Sequence, residues 1–238
     1  MEDVASYGQF CPVAKAAEII TTRWTPLILR EMVCGSRRFN EIHRGVPLMS
    51  RTLLSRRLRE LESAGVIRKT QATSPEYLLT EMGEELRPVI IALGAWGLKW
   101  VESAYDGDEW DAGVLMWDIR RRIDVSLIDG RRVLQFEYHD APAAMRLWWL
   151  VIENRSADLC QKDPGHDVDL YIGASVRKMA RVWIGKESLA QAIEAEDIEL
   201  HGDRDLIQSM KRWFKLAVVA EVTRSGSLLV IPPVAAGS

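Results

Sequence analysis

The stretch Ser50-Arg-Thr-Leu-Leu-Ser-Arg-Arg-Leu-Arg-Glu-Leu-Glu-Ser-Ala-Gly65 constrains the fold more than any other part of the 238-residue chain. It holds no helix breaker before Gly65, and Ser50 is a residue type whose side-chain oxygen caps a helix N-terminus. Leu54, Leu58 and Leu61 follow the i, i+4, i+7 rule and form one apolar stripe. At about 100° per residue, Thr52, Ser55, Arg56 and Arg59 fall on the opposite side. The spacing predicts a helix over 50–64 with an apolar back and a front of guanidinium and hydroxyl groups. Such a helix must lie on a core while presenting its polar front to something else.

The flanking sequence supplies both. Pro12 to Ile20 reads as a helix with Val13, Ala16, Ala17 and Ile20 on one face. Trp24 to Cys34 reads as a second, carrying Leu27, Ile28, Met32 and Val33 and stopped by Gly35. Phe39 to Arg44 is a third, ended by Gly45-Val46-Pro47. After Gly65, a strand over Val66–Gln71 is expected to pair with Tyr77–Leu79 across a turn at Ala72–Glu76. Helix, turn, basic helix and two-stranded ribbon is the order of a winged helix-turn-helix domain. Thr80 is expected to cap a helix reaching about Tyr105, bent by Pro88 and striped by Leu86, Val89, Ile90, Leu93, Trp96, Gly97 and Trp100 in heptad-like period. That stripe is the expected dimer contact, with Leu86, Val89, Leu93, Trp96 and Trp100 as its main residues.

Asp106-Gly107-Asp108 breaks the pattern, so domains are expected at 1–105 and 113–224. In the second, strands are expected at Val133–Tyr138, Arg146–Ile152, Val168–Gly173 and Ile198–His201. Helices are expected at Ser175–Ile184, Ser188–Ala195 and Asp203–Phe214, which makes an α+β domain.

The net charge of −3 argues against a DNA binder until its distribution is read. Arg23 to Thr70 carries eleven Arg and Lys against four Asp and Glu, a net of +7, so the remainder carries −10. This segregation fits either a local anion-binding surface or a solvated face on which like charges cluster. Arg can grip guanine through two hydrogen bonds, and Ser or Thr can serve base edges or phosphates. The residues expected to meet DNA are therefore Ser50, Arg51, Thr52, Ser55, Arg56 and Arg59, with Arg38, Arg68 and Lys69 at the flanks.

Several classes are set aside. No apolar run approaches the roughly 20 residues that span a bilayer, and no secretory leader is visible, so a cytoplasmic protein without membrane contact is expected. Cys11, Cys34 and Cys160 have no metal spacing, and an odd count suits a reducing compartment. His43, His139, His166 and His201 lie near no nucleophile motif, and there is no phosphate loop, so neither catalysis, metal nor cofactor is expected. His166 and Asp169 offer either part of an acid/base pair or, as is usual for a loop His beside a strand Asp, a structural contact.

The runs Cys11-Pro-Val-Ala-Lys-Ala, Arg23-Trp-Thr-Pro-Leu-Ile-Leu-Arg-Glu31 and Arg38-Phe-Asn-Glu-Ile42, with Ser50–Gly65, Tyr77-Leu-Leu-Thr-Glu-Met-Gly83 and Ala95-Trp-Gly97, resemble the HxlR-type regulators, relatives of the MarR winged helices. The resemblance covers about the first hundred residues. It implies a homodimer, built from the terminal helices of this domain, on a double-stranded DNA operator. One departure concerns the wing, which in that family is longer, Pro-rich and carries an Arg before its second strand. Here Gln71–Tyr77 is short and lacks it, leaving Arg68 and Lys69 as substitutes. Cys11 has two readings: a thiol sensor activated at a helix start, as in some members of that family, or a small residue that fixes the first helix.

From Leu115 to Val222 the motifs Val168-Asp-Leu-Tyr-Ile-Gly173, Ala180–Leu189, Ile198–Asp203 and Ser209–Phe214 resemble the sterol-carrier-protein type 2 domain. The resemblance implies a sheet and helices around an apolar tunnel, and hence a hydrophobic small-molecule effector. Met179, Trp183, Leu189, Met210 and Trp213 either line that tunnel or fill a solid core. The competing function is a lipid or hydrophobic-ligand carrier with a vestigial DNA-binding domain.

Overall fold

The computed structural model describes residues 6–101 and 110–225. Contacts divide the chain into two compact units with the break between Leu93 and Gly94. The boundary expected at Asp106–Asp108, like the end of the helix expected to reach Tyr105, lies outside the described residues.

The first unit opens with helices α1 (Pro12–Ile20), α2 (Thr25–Val33), α3 (Phe39–Gly45) and α4 (Arg51–Ser63). The Ser50 hydroxyl accepts from the Leu53 amide at 3.3 Å, which caps α4, and Gly65 leaves it at φ +77°, where a side chain would be strained. Leu54, Leu58 and Leu61 are buried against Ile28, Leu29, Ile42, Met49, Val66 and Ile67. The wing is β1 (Ile67–Lys69) paired antiparallel with β2 (Tyr77–Leu79), Lys69 opposite Tyr77. The first strand is shorter than expected. Thr80 does cap a helix, accepting from the Gly83 amide at 3.2 Å, but this is only α5 (Glu81–Glu84). The chain restarts as α6 (Arg87–Trp100), whose residues from Gly94 on group with the second unit, so the single bent helix expected there is two helices. Proline has no N–H to give the carbonyl of Glu84, and its ring would clash there, whereas Pro88 fits the first turn of a new helix.

The second unit holds α7 (Ala112–Arg122), β3 (Arg132–Tyr138), β4 (Leu147–Glu153), β5 (Ser156–Cys160), β6 (Leu170–Ala174), α8 (Val176–Trp183), α9 (Leu189–Glu194), β7 (Ile198–Gly202), α10 (Arg204–Trp213) and α11 (Val218–Ser225). The strands form one mixed sheet in the order β5-β4-β3-β6-β7, with β3 and β6 parallel and every other pair antiparallel. This is the expected α+β architecture, with α7, β5 and α11 added to it.

The side chains expected to line a tunnel are mostly packed. Met179, Met210 and Trp213 have 0% exposure and Trp183 has 4%, while Leu189 is half-buried against the same core. Phe214 meets Trp183 and Trp213 edge-on at centroid distances of 5.7 and 6.2 Å. The Trp213 indole donates to the Leu206 carbonyl at 3.0 Å, which removes the cost of burying its N–H. A side chain with no surface open to a water-sized sphere borders no cavity. Met179, Met210 and Trp213 therefore pack a core in this conformation and do not wall an open tunnel.

Candidate nucleic-acid interface

The front of α4 is the centre of the site. Ser50, Arg51, Thr52, Arg56 and Arg59 are exposed and Ser55 is half-buried, because the leucine stripe turns the opposite face inward. The Arg51 guanidinium donates to Asn40 Oδ1 at 2.7 Å and stands 4.9 Å from the centre of the Phe39 ring. Arg59 donates to the Ser55 hydroxyl at 3.2 Å, and Arg56 Nε lies 3.5 Å from the Glu60 carboxylate. Exposed pairs of this kind are worth little in water, so they give way readily to a phosphate or a guanine edge.

Three flanking cations lie on other elements. Arg38 immediately precedes α3, and its Nε is 3.6 Å from Glu76 in the wing loop. The loop is held further by the Tyr77 amide, which donates to the Arg37 carbonyl at 2.7 Å. Arg68 and Lys69 are exposed on β1, with the Lys69 ammonium 5.7 Å from the centre of the Tyr77 ring. All nine residues expected to meet DNA thus belong to one unit, on α4 and its cap, the start of α3, and the wing. Sequence reasoning missed Asn40, which orients Arg51, and Leu48, which is exposed just ahead of α4. Pro47 signals the turn but not which neighbour faces out, since Val46 is buried and Leu48 exposed.

On α6, Val89, Leu93, Trp96 and Trp100 stand exposed along one line, the two tryptophans at 59% and 64%. Ile90, Ile91, Ala95 and Leu98 are buried on the other side. Leu86 precedes α6 and is half-buried against the first core, apart from the other four. Tyr7, Phe10 and Val13 add exposed apolar surface at and before α1. Cys11, between them, is a half-buried free thiol at the N-cap of α1 that makes no capping hydrogen bond.

Asp169 clips two strands together, its carboxylate accepting from the Val133 amide at 2.7 Å and its own amide donating to the Val133 carbonyl at 2.9 Å. No group of His, Cys, Asp and Glu able to hold a metal ion occurs among the described residues. None of their helices is long and apolar enough to cross a membrane.

The fold and the α4 face define a winged helix-turn-helix protein of the DNA-binding regulator class. Residues 19–105 match the family model described as HxlR-like helix-turn-helix, and residues 125–215 match that of the SCP-2 sterol transfer family. The chain is 34% identical over 103 residues to the uncharacterized HTH-type transcriptional regulator YvaP of Bacillus subtilis, covering 41% of this chain and 95% of that protein. It is 38% identical over 94 residues to the HTH-type transcriptional regulator YdeP of the same organism, covering 38% and 73%. The chain belongs to the HxlR-like helix-turn-helix family. Among solved structures, YodB from B. subtilis in its reduced form is 31% identical, with coverage of 42% of this chain and 100% of that chain and a TM-score of 0.34.

Proposed function

We propose that the protein is a homodimeric transcriptional regulator that binds an operator in double-stranded DNA through α4 and the wing. The observation that carries this is the exposed cationic front of α4, set on a buried leucine back in a winged helix. Curated relatives bearing the name HTH-type transcriptional regulator support it. The α6 stripe serves as the dimer contact, since a contiguous exposed apolar line at heptad-like spacing is what a second copy covers. Such a protein acts where the chromosome is, in the cytoplasm. The experiment is Arg56→Ala on a duplex enriched from a random pool by the wild-type protein. Operator affinity is expected to fall by about 1–3 kcal/mol with relaxed base choice, as for loss of a bidentate contact. Unchanged affinity at fixed salt would remove Arg56 from the reading surface.

The second unit is the place for an effector. Its match to a family described by sterol transfer supports a hydrophobic one. Because the core is packed, that ligand must part side chains such as Met210 and Trp213 to enter. To regulate, it must also bind the DNA-competent and DNA-free shapes unequally. A panel of fatty acids, sterols and aromatic hydrophobes, scored by thermal shift and by operator release, tests this. Ligands that stabilise the protein without changing operator affinity would make the unit a carrier.

A further inference from the structure

The turn that leads into α4 presents two adjacent apolar side chains, Pro47 and Leu48, beside the charges and hydroxyls of α4, and Leu48 is the longer of the two. Leu48 is 87% exposed, while Val46 and Met49 on either side of the Pro47-Leu48 pair are buried. The turn is fixed by several bonds. The Met49 amide donates to the Val46 carbonyl at 3.0 Å, and His43 Nε2 donates to the Met49 carbonyl at 3.0 Å. Arg30 Nη2 donates to the Gly45 carbonyl at 2.8 Å and to the buried Glu31 carboxylate at 2.8 Å, which also accepts from the Ser36 hydroxyl at 3.1 Å. The Glu31 carboxylate lies where a Cβ on Gly45 would stand, so glycine is required there. Leu48 is therefore held outward by anchors on both sides, two residues before the cap of α4.

Recognition helices read base edges with their N-terminal residues. In the major groove, the apolar group offered by a base edge is the 5-methyl of thymine. We infer that Leu48 reads a thymine in the operator through that methyl group, and so sets specificity at one position of each half-site. This rests on the proposed reading of α4 as the recognition helix. Ser50, Arg51 and Arg56 offer only polar groups there; Thr52 carries a methyl of its own, and Leu48→Ala separates its contact from that of Leu48.

The test uses the full-length protein and the duplex it enriches from a random pool. Each thymine is replaced singly by uracil, which keeps Watson–Crick pairing and removes only the methyl. One position per half-site is expected at which uracil weakens wild-type binding about fourfold, the worth of one buried methyl. In Leu48→Ala that difference should vanish, while in Arg56→Ala it should persist. Uracil effects of equal size in wild type and Leu48→Ala, or none at any position, would overturn the inference. If no sequence is enriched, or if Arg51→Ala, Arg56→Ala and Arg59→Ala all bind as wild type, the reading of α4 itself has failed, and the role of Leu48 fails with it. If Arg56→Ala weakens binding and the uracil effects ignore Leu48, only the present inference has failed.

Discussion

Residues 6–101 and 110–225 treat apolar surface differently. Among the described residues, eleven large apolar side chains stand exposed before residue 102, from Tyr7 to Val101, against three after 109: Leu127, Leu147 and Tyr171. The later stretch sinks Trp183, Trp213 and Phe214 into one core. The earlier stretch leaves Trp96 and Trp100 in water on the same helix whose other side is buried. A chain that hides aromatics well in one place and poorly in another has left the second place for a partner. On the proposed dimer, the α6 line is the part of the first stretch that a second copy covers.

The hardest way to break this comparison is to charge the α6 line. Leu93→Asp with Trp96→Asp is expected to yield monomers by sedimentation and to lose operator binding where the wild type is saturated. A double variant that stays dimeric would show that the line is not the contact. Next in size, Trp213→Ala should cost the second unit about 3–5 kcal/mol, the usual range for emptying an aromatic core site. Operator affinity should stay unchanged if that unit is self-contained, and denaturant titration followed on both observables checks the pair. Leu58→Ala should cost about 2–5 kcal/mol in the first unit and weaken DNA binding with it, because Leu58 seats the recognition helix. The smallest effect belongs to the wing. Lys69→Ala should weaken binding to all sequences alike and lower the salt slope by about 1, as for a single phosphate contact. A loss confined to one sequence would place Lys69 on a base instead.

The elements with strong period were legible. The helix expected over 50–64 is α4 at 51–63, and the expected strands of the second half are present with ends shifted by one or two residues. What escaped has physical causes. Strand β5, Ser-Ala-Asp-Leu-Cys, contains no β-branched or aromatic residue, so propensity does not mark it. It is placed by pairing with β4 across Asn154-Arg155, both at positive φ, a hairpin turn usually signalled by Asn-Gly. The break before α6 follows from Pro88, but how far its effect reaches depends on Leu86 finding the first core. The tunnel was the least legible feature. Met179, Met210 and Trp213 have the same composition whether they wall a cavity or fill one, and only their packing distinguishes the two. The exposed face of α4 was legible because a helix face is set by periodicity, whereas Leu48 lies in a turn, where orientation depends on anchors such as Arg30 and His43.

The central claim, a two-fold DNA-binding dimer built on α4, is tested most directly by sedimentation of the full-length protein on the duplex it enriches from a random pool. The expected result is two chains per duplex, on an inverted repeat with half-site centres roughly 34–36 Å apart, about one helical turn. A single chain bound to a sequence without two-fold symmetry would contradict it.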